Sequence, residues 1–402
     1  MKLLCEQKKL KGTLAFLTRG KRGNDILPME LKLEGDVLTL CCSDGILYVS
    51  AKMQCVGKED GIVTVDGVLL NTCVKSLPSG DVSIGGKKRL RVASGKGKRV
   101  RNVATLSKDY GVVRPVTGDE VEFDIQLKDL LAAIESVGYA IGDGADRPIL
   151  QNLFFSTVLG AVGACDGLRS AFATLDNPPA SAFTLPYFTV PTFKAMLKLG
   201  VDKITVRCTP PGWLEFDAGD FTICAATYAG VYPSESLERM ATTIPAQPNS
   251  TVAYLPKSEW LPVLRLAKTY ADAAAKQQVS QVLTITLDNG TISFDMEVTN
   301  VGDMKDTIAA EVIGDPVSVG VHPTLLLQAI NNCPADNDDA SLAISIWDPT
   351  RPFMLQCEGW MSLTAPMVGQ AAALKQAEET AERIREQAEA ARPPWNDDDG
   401  DF

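Results

Sequence analysis

Hydrophobic and polar residues follow the same pattern in three blocks of this chain, at domain-sized spacing. Each block begins with a segment in which apolar residues return every three or four positions, as on a helix with one buried face. Leu10, Leu14 and Leu17 show this spacing in the first block. Segments that alternate apolar and polar residues follow, and turn signals such as Asn289-Gly290 separate them, which is typical of paired strands. The pattern predicts three copies of one helix-and-strand unit.

The second half of each block predicts a shorter helix that leads into a strand. The three segments are VLLNTCVKSLPSGDVSIG, TVPTFKAMLKLGVDKITVR and HPTLLLQAINNCPADNDDASLAISI. The predicted fold class is therefore α+β, with three similar domains in which two helices pack on antiparallel sheets. Polar stretches rich in Pro and Gly near 114–120 and 246–251 set the boundaries. We predict domains at 1–118, 119–249 and 250–369.

Residues 370–402 differ in composition from the three blocks. The segment AAALKQAEETAERIREQAEAAR favours an exposed helix with Glu/Arg pairs, and the closing PPWNDDDGDF is predicted to be disordered. Its 4 Lys and Arg stand against 9 Asp and Glu. The pattern leaves open whether this acidic appendage, which closes on Phe402, recruits a partner or only increases solubility.

The composition is that of a folded protein with reduced cysteines. Hydrophobic residues make up 45% of the 402 residues and charged residues 22%, so we expect sizeable cores in about three domains. The ten cysteines include no C-x-x-C pair or zinc-ligand spacing, and we expect mostly buried thiols. There is no secretory signal pattern and no long apolar run, which predicts a cytoplasmic protein with no membrane partner.

The net charge of −11 is distributed unevenly along the chain. Residues 1–116 carry 21 Lys and Arg against 11 Asp and Glu, whereas residues 117–369 carry 14 against 30. An acidic body with a basic segment repels a polyanion over most of its surface and attracts it locally. The distribution is therefore compatible with a nucleic-acid partner.

The sequence contains no recognisable catalytic motif. The single histidine, His322, stands at the start of a predicted helix, and neither G-x-S-x-G nor H-E-x-x-H occurs. The glycine-rich stretches lack the spacing of a P-loop or a dinucleotide turn, and the acidic clusters at 336–339 and 397–399 lack the spacing of a calcium loop. We therefore predict a protein that is not an enzyme and uses no cofactor or metal.

Nine short segments resemble, in order and spacing, the bacterial-type DNA sliding clamp, the β subunit of DNA polymerase III. They are ILPMEL, TVDGVLLNTCVKSLPSGDVSI and RLRVASGKGKRVRNVATL in the first block, RPILQNL, CDGLRSAFA and GVYPSESLERMATTIP in the second, and VGDMKDTI, HPTLLLQAI and WMSLTAPM in the third. The resemblance covers about residues 1–367. The 35 residues after Met367 depart from the family pattern and, with the divergence of the sequence, favour a viral or plasmid origin.

The resemblance implies a processivity factor built as a ring of six similar domains from two head-to-tail subunits. Such a homodimer encircles double-stranded DNA, is loaded by a clamp loader and tethers the replicative DNA polymerase. Its inner helices need cations that touch phosphates without reading bases. The residues that we assign to DNA binding on these helices and in the loops after them are Lys8, Lys11, Arg19, Lys21, Arg22, Arg147, Lys194, Lys198, Arg265 and Lys268.

The family also implies a groove between the second and third domains that takes a short peptide from polymerases and loader subunits. By motif match its walls are Cys165, Gly167, Arg169, Ser170, Pro245, Leu363, Pro366 and Met367. An apolar slot with one charge suits hydrophobic peptide anchors. Leu168 stands where the family often has His, and Ser170 where it usually has an apolar residue, so a different peptide preference is expected.

Two alternatives remain open from the sequence. The basic cluster Lys87, Lys88, Arg89, Arg91, Lys96, Lys98, Arg99 and Arg101 is equally compatible with a solvated hairpin and with a region near DNA and the subunit interface. The alternative function is a clamp-like decoy or regulator of the host replication machinery. A ring that fails to close favours this alternative, whereas intact groove residues and a basic channel favour the processivity factor.

Overall fold

A computed structural model of the chain describes residues 1–19, 25–94, 97–115, 121–144, 146–209, 212–227, 230–245, 247, 249–334 and 340–367. The predicted appendage at 370–402 and the acidic cluster at 336–339 lie outside these residues. The chain divides into two compact units between Met240 and Ala241.

Seven α-helices lie in the described residues. They are α1 (Gln7–Leu17), α2 (Gly67–Lys75), α3 (Leu127–Val137), α4 (Val190–Lys198), α5 (Ser234–Thr243), α6 (Lys257–Lys276) and α7 (Pro323–Asn332). The six helices predicted from the repeat are confirmed, and α5 was not predicted. Within each predicted domain the two helices pack together, α1 on α2, α3 on α4 and α6 on α7.

The first unit contains seventeen strands among its described residues. They are β1 (Lys2–Glu6), β2 (Pro28–Glu34), β3 (Val37–Ser43), β4 (Leu47–Gln54), β5 (Val56–Glu59), β6 (Gly61–Asp66), β7 (Asp81–Gly85), β8 (Arg89–Ser94), β9 (Val100–Ala104), β10 (Val121–Gln126), β11 (Asn152–Ser156), β12 (Ala161–Cys165), β13 (Arg169–Thr174), β14 (Phe183–Pro186), β15 (Lys203–Thr209), β16 (Trp213–Asp217) and β17 (Phe221–Ala226). They pair in the orders β5-β1-β7-β8-β9, β10-β15-β16-β17-β4-β3-β2-β6 and β14-β11-β12-β13.

The second unit contains nine strands among its described residues. They are β18 (Thr251–Pro256), β19 (Leu283–Asp288), β20 (Thr291–Val298), β21 (Gly302–Ala309), β22 (Glu311–Ile313), β23 (Val317–Val321), β24 (Ser341–Ile346), β25 (Phe353–Cys357) and β26 (Trp360–Thr364). They pair in the orders β26-β25-β24-β18-β22 and β21-β20-β19-β23. All the pairings that define these sheets are antiparallel, as the α+β prediction requires.

The alternation of apolar and polar residues produces sheets with one buried face. In β20 every second residue is buried, from Ile292 to Val298, and these side chains meet Trp260 of α6 through Phe294, whose ring centroid lies 5.5 Å from that of the indole. The turn before β20 has the left-handed backbone that its sequence predicts, with φ of 39° at Asn289 and 81° at Gly290. Local turn chemistry and burial therefore agree on the register of this hairpin.

The first unit holds both of the first two predicted domains because one sheet runs through them. Strand β17 pairs with β4 from Phe221 opposite Ala51 to Ala225 opposite Leu47, which makes an eight-stranded sheet. The observed division lies nine residues before the predicted boundary at 249/250. The division into three domains stays a prediction that the triplicated order of strands and helices supports.

Candidate functional site

Lysines line the exposed faces of the helices in the first unit. In α1 the apolar Leu10, Leu14 and Leu17 are buried, whereas Lys8 and Lys11 are exposed. In α4 Phe193 and Met196 are buried, whereas Lys194 and Lys198 are exposed and lie one turn apart. Helices α1 and α4 also contact each other. The helical periodicity therefore separates core residues from a cationic face in both predicted domains of this unit.

A cavity of about 690 Å³ opens between α3 and α4 on this cationic face. Its apolar lining includes Leu131, Phe188 and Leu197. Its charged lining consists of Arg19, Lys128, Glu135, Lys194 and Lys198. Arg19 therefore lies with the α4 lysines, as expected for a shared phosphate-binding surface, whereas Lys21 and Arg22 lie outside the described residues.

One of these lysines has an ion-pair partner. Lys194 Nζ lies 2.6 Å from a carboxylate oxygen of Glu135 on α3, and both side chains are about half exposed. Lys198 forms no ion pair with the described residues. Because an exposed ion pair contributes little free energy, Lys194 can exchange Glu135 for a phosphate at small cost.

The second unit carries two of the predicted cations on α6. Trp260, Leu264 and Ala267 of this helix are fully buried, while Arg265 is exposed. Lys268 is partly exposed and lies 2.5 Å from Asp272, one turn further along the helix. The charge of Lys268 is therefore largely compensated within the helix, and Arg265 is the stronger of the two candidates for a phosphate contact.

Arg147 is placed differently from the other predicted DNA-binding residues. It is exposed, precedes a short 3-10 turn at Pro148–Gln151, and lines a 230 Å³ cavity together with Asp166 and Leu150. A Cβ built on Gly167 would lie 3.4 Å from a guanidinium nitrogen of Arg147. Arg147 therefore lies beside the predicted groove residues, and its assignment to DNA binding stays a prediction.

Four predicted groove residues of the first unit lie at the turn between β12 and β13. Gly167 adopts φ of 96°, a left-handed conformation that suits glycine, and Asp166 closes the turn by accepting the Leu168 and Arg169 N–H groups at 2.8 and 2.9 Å. Cys165 and Ser170 are buried beneath the turn, whereas Leu168 is 60% exposed. Leu168 is therefore the most exposed side chain of this turn, although the sequence marked it only as a departure from the family pattern.

Buried groups surround this turn. The guanidinium of Arg169 donates to Asp166 Oδ2 at 2.9 Å and to the Tyr139 carbonyl oxygen at 2.7 Å, and only 9% of the residue is exposed. Burial raises the pKa of the Cys165 thiol, although the Gly167 N–H donates to its sulfur at 3.3 Å and lowers it. Tyr232 packs on Phe154 with ring centroids 5.1 Å apart. These groups support the turn from below.

The predicted groove residues of the second unit differ in exposure. Pro245 is exposed, Pro366 and Met367 are half-buried, and Leu363 is only 2% exposed. The Met367 N–H donates to the Gly320 carbonyl oxygen at 2.8 Å, which fixes the end of the described chain against β23. Pro366 and Met367 therefore present side chains from a fixed backbone, whereas Leu363 belongs to the core.

Two other sequence interpretations have structural counterparts. His322 caps α7, because its Nδ1 accepts the Thr324 N–H at 3.2 Å, which confirms its interpretation as a helix-start residue.

The basic cluster lies on β8, β9 and the adjoining turns. Its described members are exposed except for the partly buried Arg101, and Lys96 lies outside the described residues. Both interpretations of that cluster remain predictions.

The described part of the chain lacks the features of a metal site and of a membrane-spanning helix. No group of three or more His, Cys, Asp or Glu side chains in it is arranged to hold a metal ion. None of its helices combines the length and apolar composition needed to cross a membrane.

The arrangement of strands and helices is that of the bacterial β sliding clamps. A DNA polymerase III subunit β from Pseudomonas aeruginosa matches with a TM-score of 0.77 at 16% identity, over 92% of this chain and 100% of that chain. A DNA polymerase sliding clamp from Caulobacter crescentus matches with a TM-score of 0.75 at 19% identity, over 92% of this chain and 100% of that one. The chain therefore has the sliding clamp fold.

The sequence is also similar to a β sliding clamp over the same extent. That of Synechococcus elongatus is 23% identical over 387 residues, which cover 90% of this chain and 97% of the relative. No family model matches the chain. The chain is thus similar to the β sliding clamps in sequence and in fold, and the predicted fold class is confirmed.

Proposed function

We propose that this protein is a DNA sliding clamp, a processivity factor that holds a replicative DNA polymerase on double-stranded DNA and catalyses no reaction itself. The observation that carries the proposal is the combination of the clamp fold over 92% of the chain with exposed cations on α1, α4 and α6. The names of the homologues, β sliding clamp and DNA polymerase III subunit β, agree with this role.

The cations suit contact with phosphates rather than with bases. Lys8, Lys11, Lys198 and Arg265 are exposed on helices and form no ion pair with other described residues. Long, mobile cations on a helix surface neutralise phosphates and release counterions without reading sequence. Such a surface holds a duplex weakly and lets it slide, as a processivity factor requires.

The number of predicted domains in one chain supports a ring made of two chains. One chain supplies three predicted domains and the family ring needs six, so we propose a head-to-tail homodimer that a clamp loader opens and closes around DNA. A closed ring retains DNA by topology, and high equilibrium affinity is unnecessary. We propose the cytoplasm as the place where this occurs.

We assign partner binding to two surfaces, one in each unit. In the first unit it is the turn with Gly167 and the exposed Leu168, beside Arg147. In the second unit it is the half-buried pair Pro366 and Met367. Exposed apolar side chains on a rigid backbone suit the anchors of a short polymerase or loader peptide, and a cation beside them suits an acidic residue of that peptide.

A primer-extension assay tests this function. The protein and its loader are added to a primed single-stranded circle with the cognate polymerase and an excess of unprimed competitor DNA, so that each product reports one binding event. We expect products many times longer than those made without the protein. Unchanged or shortened products contradict a processivity role, and shortening in particular indicates a decoy that sequesters the polymerase.

A further inference from the structure

Two thiols of the second unit lie unusually close together. The Sγ atoms of Cys333 and Cys357 are 2.9 Å apart, although 24 residues separate them in the chain. A disulfide bond is about 2.05 Å long. A movement of less than 1 Å, within the range of side-chain rotation, therefore brings the two sulfurs to bonding distance.

Both thiols are held by regular backbone. Cys333 is the C-cap residue directly after α7, where its N–H donates to the Ala329 carbonyl oxygen at 3.0 Å. Cys357 is the last residue of β25 and lies opposite Trp360 in the hairpin that β25 forms with β26. Helix α7 also packs on β26. The short distance between the sulfurs is therefore set by the packing of two elements and not by a loop.

The two thiols differ in access to solvent. Cys333 is 3% exposed, whereas Cys357 is partly exposed. A small reagent therefore reaches Cys357 first, and Cys333 is positioned beneath it as a second thiol. This is the arrangement of an attacking cysteine and a resolving cysteine.

A cation stands beside the pair. Lys257 Nζ at the start of α6 donates to the Cys333 carbonyl oxygen at 3.2 Å. The hydrogen bond with Cys333 raises the pKa of the Cys357 thiol, burial raises it further, and the charge of Lys257 lowers it. Since the thiolate is the reactive form, the pair should react slowly at neutral pH and faster in alkaline buffer.

We propose that Cys333 and Cys357 form an oxidative modification site, a dithiol that closes to a disulfide and joins the end of α7 to the β25–β26 hairpin. The sequence has no C-x-x-C motif that would indicate this site, because the two cysteines are brought together by the packing of a helix and a hairpin. The proposal does not depend on the function assigned above.

The reaction requires an oxidant, for which a low-molecular-weight disulfide suffices. The Cys357 thiolate attacks one sulfur of oxidised glutathione, so that a mixed disulfide forms and one glutathione thiolate leaves. The Cys333 thiolate then attacks the Cys357 sulfur, and the second glutathione thiolate leaves. Two protein thiols are oxidised, one glutathione disulfide is reduced to two glutathione molecules, and the protons of the protein thiols pass to these products.

The disulfide would close a long loop in the second unit. It would restrict the unfolded chain between residues 333 and 357 and so raise the melting temperature. It would also tie down the hairpin whose second strand, β26, leads to Pro366 and Met367. Oxidation would therefore stabilise the backbone that presents one of the two proposed partner surfaces.

Incubation of the full chain with oxidised glutathione at pH 8.5 tests the site. Trypsin does not separate the two cysteines, because the only basic residue between them, Arg351, precedes Pro352. Digestion at aspartates, for example at Asp348, does separate them. We expect one disulfide-linked pair of peptides that carries Cys333 and Cys357, and a rise in melting temperature of roughly 5 °C or more that a reductant reverses.

Single variants supply the controls. Cys357→Ser and Cys333→Ser should each abolish the linked peptides and the thermal shift, whereas Cys55→Ser, which removes another partly exposed thiol, should leave both unchanged. Identification of the linked peptides in the protein without substitutions tests the site independently, even where a variant folds poorly. A glutathione adduct that persists on Cys357, or linked peptides from other cysteines only, overturns the proposal.

Discussion

The guanidinium carbon of Arg169 lies 5.0 Å from the centroid of the Tyr139 ring, and the same guanidinium donates to the Tyr139 carbonyl oxygen at 2.7 Å. Together with the ion pair to Asp166, this contact fixes the turn that presents Leu168. The Arg169 side chain is 8% exposed, so little of it is available to a partner. We therefore expect Arg169 to position the turn and Leu168 to provide the contact surface.

Substitutions at these two neighbouring positions should therefore separate stability from binding. Arg169→Ala removes a buried cation and leaves Asp166 and the Tyr139 carbonyl without it, so we expect a loss of about 3–5 kcal/mol in the free energy of unfolding. Leu168→Ala should change stability by less than about 0.5 kcal/mol. It should weaken the binding of a polymerase-derived peptide by about 1–2 kcal/mol. Urea unfolding and titration calorimetry measure the two effects, and a stable Arg169→Ala variant contradicts the assignment.

The half-buried pair at the end of the described chain should contribute to binding without supporting the fold. The double variant Pro366→Ala/Met367→Ala removes apolar side chains, and the Met367 backbone hydrogen bond to Gly320 remains. We expect peptide affinity to fall by about 1–3 kcal/mol while the urea midpoint stays within error. Met361→Ala, which truncates another half-buried methionine on β26, is the matched control and should bind normally. Equal effects of the two variants argue against a specific partner surface.

The ion pair between Glu135 and Lys194 gives a charge test of the helix surface. Glu135→Gln removes a negative charge and releases Lys194, so we expect DNA affinity to rise several-fold at low salt and the salt dependence to steepen. Asp295→Asn makes the same chemical change in a lysine ion pair on the β20–β21 surface, with Lys305 as the partner at 2.9 Å, and should have a smaller effect. Fluorescence anisotropy with a short duplex measures both. Equal increases in DNA affinity for the two variants would mean that DNA does not bind preferentially to the helix surface around Lys194.

A buried carboxylate anchors the segment that leads from the first predicted domain to the second. Glu215 of β16 is 4% exposed and pairs with Arg114 at 2.7 Å and Arg207 at 3.1 Å. Glu215→Gln leaves two cations without this partner, and we expect it to lower the free energy of unfolding by about 2–4 kcal/mol. Glu122→Gln, which removes the half-exposed partner of Arg207, should cost less than about 1 kcal/mol. Denaturant titration of the two variants distinguishes buried from exposed pairing.

The repeat was readable from the sequence because local signals determine its elements. The spacing of Leu10, Leu14 and Leu17 predicted α1, and Asn289-Gly290 predicted the turn between β19 and β20. The helix α5 was missed because SESLERMATT is short and mostly polar, although Leu237 and Ala241, one turn apart, are both buried. The eight-stranded sheet was missed because pairing between distant strands such as β4 and β17 leaves no short-range pattern.

The candidate site was predictable in part for the same reason. Helical periodicity placed Lys194 and Lys198 on an exposed face, but it contained no information about the carboxylate of Glu135 on a neighbouring helix. A motif match assigned Arg169 to the groove wall without showing that its side chain is buried on Tyr139. Arg147 was likewise assigned to DNA binding because it follows the first helix of the second predicted domain. In the fold it lies beside Gly167, a proximity that its position in the sequence does not reveal. Partners that are distant in the chain are fixed only by the tertiary structure.

Retention on DNA with and without free ends tests the central claim most directly. The protein is loaded by its loader onto nicked circular DNA, free protein is removed, and half of the sample is linearised by a restriction enzyme. A ring that encircles DNA should remain on the intact circles and leave the linear molecules by sliding off their ends. Dissociation at equal rates from both forms would contradict the sliding clamp account.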